Sequence, residues 1–119
     1  ALALAINNKN VVKSYDIVND RIVDFSTINN IEFVNQNILE ISNEKLNKTP
    51  LIFLDIDHNG VNEIKFYNKL KEAEFNGILV CDDIILNDKM KEFWLYIDKE
   101  KRDLTEVFHV AGTGLVLFK

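Results

Sequence analysis

The stretch Pro50-Leu-Ile-Phe-Leu-Asp-Ile-Asp-His-Asn-Gly60 joins an apolar run to two carboxylates, an imidazole, an amide and a glycine. A second stretch, Gly77-Ile-Leu-Val-Cys-Asp-Asp83, follows the same plan and ends in two acids. Short uninterrupted apolar runs are typical of strands that are buried on both faces of a parallel sheet. Ligands of such sheets bind beyond the carboxyl ends of the strands. We therefore expect the chemistry of this chain at these two acidic strand ends.

Strands and helices alternate along the rest of the chain. The pattern predicts strands over residues 11–16, 31–38 and 78–81, in addition to the strand that starts at Pro50. Helical patterns cover the first residues up to Asn7, then 21–28 behind a cap at Asp20, 61–75 and 88–99, and residues 39–48 form a short helix or a turn. Residues 107–110 and 115–118 flank a glycine-bearing turn and predict a closing β-hairpin. Alternation of this kind predicts an α/β fold with a mostly parallel sheet and an antiparallel C-terminal hairpin.

Composition narrows the class of protein and the partners. The 119 residues, 47% of them apolar, suit one soluble domain. A net charge of −5 argues against nucleic acid as a partner, because phosphate contacts need a positive face. Cys81 has no second cysteine to pair with, so we expect a reducing cytoplasm. The apolar start, Ala1 to Ile6, is too short for a membrane span.

The joint order of these motifs resembles the class I S-adenosylmethionine-dependent methyltransferases. Within that superfamily it is most similar to the metal-dependent O-methyltransferases of the catechol, caffeoyl-CoA and sugar type. The resemblance rests on Phe53-Leu-Asp-Ile-Asp-His58, on Asn76-Gly-Ile-Leu-Val-Cys-Asp-Asp83 and on Gly112-Thr-Gly-Leu-Val-Leu-Phe-Lys119. It implies a Rossmann-like methyltransferase sheet, and O-methyl transfer to a small hydroxylated acceptor such as a sugar or another polyol. Whether the protein forms a homo-oligomer is left open.

The resemblance also implies residues that bind the cofactor. Asp16 falls where the family's acid accepts hydrogen bonds from the ribose hydroxyls, a task that suits the two oxygens of a carboxylate. Asn37 and Ile38 fall at the adenine-reading position, where the amide oxygen of Asn37 can accept from the adenine amino group. Asp57 is assigned to the cofactor or to a helix cap.

The same resemblance implies a metal and a base. Asp55, Asp82 and Asp83 match the family's Mg²⁺ ligands, and hard cations of this kind prefer oxygen. His58 stands where the family has a catalytic lysine or histidine, and an imidazole suits a general base near neutral pH. The expected reaction is transfer of the sulfonium methyl group to a metal-held hydroxyl.

One departure from the family concerns the front of the domain. The family's first strand, which is central in its sheet, and the glycine-rich loop after it have no counterpart, since Ala1 to Ile6 resembles the helix that follows that loop. Residues 1–119 are therefore expected to be a partial methyltransferase-like domain, and a non-catalytic remnant of that fold is an alternative.

Other functions fit parts of the Asp55–Gly60 loop. Asp55, Asp57, Asn59 and Gly60 satisfy four positions of a calcium-binding EF-hand loop, although Phe66 stands where a bidentate glutamate is required. An Asp-x-Asp phosphotransferase of the haloacid dehalogenase type needs more chain after the first acid than is present here. In a purely structural interpretation, Asp57 or Asn59 caps the following helix. His109 and Cys81 are expected to be structural residues, Cys81 as a buried, inert thiol.

Overall fold

The computed structural model describes residues 2–7, 9–19, 24, 26–108 and 110–119. It is an α/β fold with two sheets, and the chain divides into two units, residues 1–41 and 42–119. The predicted α/β class with parallel and antiparallel strands is confirmed. The described strands form two separate sheets, however, whereas the sequence predicted one. Among the described residues, no helix combines the length and the apolar character that crossing a membrane requires.

The first unit is a parallel strand pair with short helical segments. Its elements are α1 (Leu2–Ala5), β1 (Val12–Asp16), β2 (Ile31–Asn35) and a 3₁₀ turn over Ile38–Glu40. β1 pairs with β2 in parallel, which places Asp16 opposite Asn35 at the carboxyl ends. The side chain of Asn30 donates to the carbonyl oxygens of Ala5, at 2.7 Å, and Asn10, at 2.9 Å, and so ties the two connecting segments together.

The predicted helix over residues 21–28 cannot be scored in full. Residues 20–23 and 25, including the predicted cap at Asp20, lie outside the described residues. The described part does not form a helix: residues 26 and 27 form a turn in which the Asp24 carboxylate accepts from the Ser26 N–H at 2.8 Å.

The second unit contains a four-stranded mixed sheet. Its elements are α2 (Asn43–Asn47), β3 (Leu51–Leu54), α3 (Val61–Glu72), β4 (Ile78–Asp82), α4 (Asp88–Tyr96), β5 (Glu100–Asp103) and β6 (Thr113–Leu117). The strand order is β3-β4-β6-β5. β3 and β4 are parallel, and β6 runs antiparallel to both of its neighbours. The predicted parallel pair at the two acidic stretches is confirmed.

The helices α3 and α4 cover one face of this sheet. Tyr67 of α3 packs against Phe118 with ring centroids 5.5 Å apart. Trp94 of α4 lies so close to Gly114 that an added Cβ would come within 2.4 Å of its ring. This face also buries Cys81, which confirms the prediction of a buried thiol. Burial raises the pKa of this thiol to about 12, so it is protonated at neutral pH.

The opposite face of the same sheet stays accessible. Leu51, Phe53 and Ile78 are 42%, 51% and 38% exposed, and the register of β3 and β4 places them on one side. We call these three residues the open face. The prediction that both strands are buried on both faces is therefore wrong in this structure, since the described helices that pack on this sheet lie on its other side.

The closing hairpin forms with a different first strand from the predicted one. Residues 107 and 110 lie in turns, and Val107, Phe108 and Val110 are 75%, 69% and 96% exposed, while His109 lies outside the described residues. The partner of β6 is the charged strand β5. An edge strand tolerates charge, and here Lys101 donates to the carbonyl oxygens of Trp94 and Ile97 at 2.6 and 2.8 Å, at the end of α4.

The end of α3 shows how the chain leaves a helix without a glycine. The Phe75 N–H donates to the carbonyl oxygen of Leu70, and the Glu74 N–H donates to that of Lys71. These two bonds form a Schellman motif, in which the residue after the cap takes the left-handed conformation. That residue is Glu74, with a φ of 53°.

This motif gives a stability prediction. Replacing Glu74 by glycine removes the steric cost of a left-handed L-residue, so Glu74→Gly should raise the free energy of unfolding by about 0.5–1 kcal/mol. Urea unfolding followed by circular dichroism measures the change. Glu74→Ala keeps the Cβ and should leave stability near that of the parent protein. A glycine variant that is less stable than the alanine variant would contradict this account.

Candidate functional site

Polar residues gather at the carboxyl ends of β3 and β4. Asp55 follows β3, Asp82 ends β4, and Asp83 comes next in the chain. The parallel register pairs Leu54 with Cys81, so the two strands end side by side. His58 lies in the loop that leads from β3 into α3. The sequence predicted that these four residues lie at one site, and the structure brings them to the same edge of the sheet.

The imidazole of His58 lies between two carboxylates. Its Nε2 atom is 3.2 Å from Asp55 Oδ1 and 3.2 Å from Asp83 Oδ2. The nitrogen itself is screened from solvent. The Asp55 side chain is half exposed, whereas those of His58 and Asp83 are largely covered. Nε2 thus lies within ion-pair distance of two carboxylate oxygens, and of the two acids Asp55 is the more exposed.

Both sides of the His58–Asp83 contact have a strained backbone. His58 has a φ of 55° and Asp83 a φ of 54°. Among the described residues they are two of the three that take a left-handed conformation without being glycine. This conformation costs an L-residue about 1–2 kcal/mol, and such costs concentrate at functional sites. The strain coincides with the cluster that the sequence marked for chemistry.

The carboxylates influence one another. Burial raises the pKa of Asp55, and the negative charges of Asp82 and Asp83 raise it further, while His58 acts in the opposite direction. The Asp82 Oδ1 atom accepts from the N–H of Asp83 at 3.0 Å, which fixes Asp82 within the same loop. The site therefore concentrates negative charge around one imidazole.

The predicted magnesium site is not assembled in the described structure. Over residues 2–7, 9–19, 24, 26–108 and 110–119, no group of three or more His, Cys, Asp or Glu side chains is arranged to hold a metal ion. The predicted ligands Asp55 and Asp83 are near each other, but the His58 ring lies between them. A cation shared by these acids would need the ring to move, so the metal remains a prediction.

The loop between Asp55 and α3 caps the helix. Asn59 Oδ1 accepts from the N–H groups of Val61 and Asn62 at 2.9 and 3.0 Å, which confirms the predicted capping role for Asn59. The carboxylate of Asp57 accepts from the side chain of Asn62. Its predicted contact with a cofactor is untested.

The structure around this loop differs from an EF-hand. The element before the loop is the strand β3, whereas an EF-hand has a helix there. The side chain at the twelfth position, Phe66, is buried in the core. The oxygen of Asn59, which an EF-hand would use for calcium, is bonded to the helix. No contact within the described loop favours the calcium-binding alternative.

A second polar edge lies in the first unit. A cleft of ≈ 170 Å³ opens at the carboxyl ends of β1 and β2, and seven residues line it: Ser14, Asp16, Val18, Asn19, Phe33, Val34 and Asn35. Asp16 Oδ1 accepts from the Val18 N–H at 3.1 Å, and its other oxygen adds acceptor capacity. The structure thus places the predicted ribose-binding acid at a cleft. Ile38 and Asn37 are not among its lining residues, and Asn37 Oδ1 caps the 3₁₀ turn through the Leu39 N–H at 2.9 Å.

Three polar residues escaped the sequence analysis. Asn35 lies opposite Asp16 because β2 ends at residue 35, three residues earlier than predicted. Asn87 directly precedes α4 and caps it. An asparagine just before a helical pattern is a capping signal, and it was visible in the sequence. Glu63 is buried on the inner face of α3, where the apolar periodicity gave no signal for a charged residue.

Comparisons with protein-family models, with curated proteins and with solved structures found no match to this chain. The residues themselves therefore carry the functional argument.

The coupling of the acids gives a pH prediction. Because the folded-state pKa of Asp55 is raised, its contribution to stability is greatest below the unfolded-state pKa and is lost as the pH rises through the folded-state value. In Asp82→Asn, the pKa of Asp55 should fall, since one of the charges that raise it is removed. Carboxyl ¹³C NMR titration without divalent cations measures this pKa.

Asp57→Asn is the matched control, because Asp57 lies two residues away and is not a source of the Asp55 shift. It should leave the pKa of Asp55 unchanged. An Asp55 pKa that responds to the change at Asp57 and not to that at Asp82 would show that the described cluster is wrong.

Proposed function

We propose that this chain carries out S-adenosylmethionine-dependent O-methyl transfer to a small hydroxylated molecule, a sugar or another polyol, through a Rossmann-like methyltransferase fold. The observation that carries the proposal is the position of His58 Nε2, 3.2 Å from both Asp55 and Asp83 at the carboxyl ends of parallel strands. This edge is where α/β sheets bind their ligands. An imidazole between two acids is equipped to take up a proton.

The strand pairing supports the same fold. A doubly wound sheet has the strand order 3-2-1-4-5-6, in which the first strand separates the pair 3-2 from the group that starts 4-5. Taken unit by unit, the observed parallel pairs β2-β1 and β3-β4 are of the kind that such a sheet contains at 3-2 and at 4-5. The resemblance drawn from the sequence implies the same pairs.

The resemblance assigns separate residues to the binding of the cofactor. S-adenosylmethionine supplies an electrophilic methyl group on a sulfonium sulfur. Asp16 would accept from the ribose hydroxyls, with Asn37, Ile38 and Asp57 as the further cofactor-binding residues that the resemblance implies. The acid at the cleft of the first unit suits this task, because the cleft is lined by polar side chains and the carboxylate has two acceptor oxygens.

Proton removal is assigned to His58. An acceptor hydroxyl would first meet the half-exposed Asp55, because Nε2 is screened from solvent. When bound, S-adenosylmethionine would supply the methyl group, and the hydroxyl proton released on transfer would reach the unprotonated imidazole by way of Asp55. Asp55 and Asp83 stabilise the imidazolium that results, since both lie within ion-pair distance of Nε2.

A divalent cation such as Mg²⁺ is the further component that the resemblance implies. The donor set of Asp55, Asp82 and Asp83 has the right chemistry, because such cations prefer carboxylate oxygens. The cation would supply positive charge to the acceptor oxygen. It would compete with His58 for Asp55 and Asp83. The expected setting is the cytoplasm, on the evidence of one buried, unpaired cysteine.

Cofactor binding provides the first test. Isothermal titration of the protein with S-adenosylmethionine should show binding, and Asp16→Ala should weaken it roughly ten- to a hundredfold, the effect of losing hydrogen bonds to a charged group. Glu32→Gln is the control, because Glu32 is an acid of the same strand pair that is bound to Lys13 at 3.1 Å. Absence of binding at millimolar cofactor would refute the proposal and favour a non-catalytic remnant.

Cation binding provides a second test. Added Mn²⁺ should broaden the NMR signals of Asp55 and Asp83 and shift the His58 ring signals, because the cation displaces the ring from the two acids. In Asp55→Asn the broadening should require a higher concentration of Mn²⁺. If the signals at this edge do not change, the metal is not part of the mechanism, and the metal-free version with His58 as base remains.

A further inference from the structure

The main chain of His58 is held by side chains of two different helices. Its N–H donates to Glu63 Oε1, in α3, at 2.7 Å. Its carbonyl oxygen accepts from Asn87 Nδ2, at the start of α4, at 2.9 Å. Both peptide groups next to the strained φ of 55° are thus fixed by hydrogen bonds. Hydrogen bonds of this kind can offset the cost of a left-handed conformation.

Glu63 is an unusual residue to find in this position. It is 1% exposed, and the other buried residues of α3, Phe66, Tyr67 and Leu70, are hydrophobic. Its Oε1 atom accepts from His58, while Oε2 is buried without a hydrogen-bond partner among the described residues. Burying a carboxylate with one unbonded oxygen opposes folding. The benefit of Glu63 therefore lies in what its bonded oxygen holds rather than in stability.

Asn87 connects His58 to a second helix. Its Oδ1 atom accepts from the Met90 N–H at 2.9 Å and caps α4. Its Nδ2 group donates to His58 in the opposite direction. The same side chain therefore links the start of α4 to the histidine. Aspartate in its place would keep the capping oxygen and remove the donor.

We propose that Glu63 and Asn87 are positioning residues that hold His58 in its left-handed conformation and so keep Nε2 within 3.2 Å of Asp55 and Asp83. The catalytic value of this arrangement rests on the proposed methyl transfer. The holding itself is a property of the folded chain and can be measured without substrate.

The experiment uses NMR of the protein with Glu63→Met, which removes the acceptor and keeps an apolar side chain of similar length. The amide hydrogen of His58 should exchange with solvent roughly ten- to a hundredfold faster, as expected for loss of a hydrogen bond to a charged group. The strong nuclear Overhauser effect between its own amide and Hα protons, typical of a positive φ, should weaken. Stability should not fall, since a half-bonded buried carboxylate is replaced by an apolar group. Glu63→Gln keeps an oxygen acceptor and should restore the His58 signals.

Asn87→Asp tests the other contact and remains decisive if Glu63→Met does not fold. Helix α4 should stay intact, because its capping oxygen is retained, while the left-handed signature of His58 weakens. Asn59→Asp is the matched control: it keeps the cap of α3 and touches neither bond to His58. The proposal is overturned if His58 keeps its φ and its protection in Asn87→Asp, or in a folded Glu63→Met variant.

Kinetics separate this proposal from the proposed function. If methyl transfer occurs, both variants should lower kcat with little change in KM for the cofactor, and Glu63→Gln should recover kcat. Unchanged kcat in both variants would overturn the positioning role while leaving the transferase intact. If the parent protein transfers no methyl group, the proposed function fails, and the NMR measurements on His58 still decide whether Glu63 and Asn87 hold it.

Discussion

The parallel pairing of β3 with β4 determines where the polar residues of the second unit can meet. Two parallel neighbours end at the same edge, so the acids that follow Leu54 and Cys81 are brought together by backbone hydrogen bonds alone. α3 then begins within a few residues, and its loop brings His58 to these acids. The same rule acts in the first unit, where the parallel register sets Asp16 opposite Asn35. Sheet pairing comes first in both units, and the side-chain contacts depend on it.

The sequence was sufficient to predict the strands and helices whose burial follows a simple pattern. Continuous apolar runs predicted β3 and β4, and the helical patterns over 61–75 and 88–99 contain α3 and α4. It failed at the hairpin, where Val107, Phe108 and Val110 have a strand-like composition but lie exposed and outside any strand. The real strand β5 carries charge on every residue, and the ammonium group of Lys101 donates to carbonyl oxygens at the end of α4. Composition does not reveal a bond of that kind.

The sequence predicted which residues of the candidate site lie together, but it did not predict the distances between their atoms. Asp55, His58, Asp82 and Asp83 lie at one edge of the sheet, as expected for residues that follow neighbouring parallel strands. The ion-pair distances around His58 Nε2 depend on the exact path of a short loop, and no periodicity encodes a φ of 55°. Helix α3 shows the same limit. The predicted helix begins at Val61, as the observed one does, but Val61 is 55% exposed and the buried face runs through Glu63 and Phe66.

The open face of the second sheet has a consequence for how this protein behaves in solution. Leu51, Phe53 and Ile78 form an apolar surface next to β3, and β3 is an end strand of its sheet in the described structure. Two such surfaces attract each other. An apolar surface beside a strand with unpaired backbone groups has a lower free energy in contact with a like surface than in water. The colloidal stability of the protein therefore depends on what covers this face. At high concentration and without a covering partner, the molecules will attract one another there, and salt will screen the net negative charge that otherwise keeps them apart.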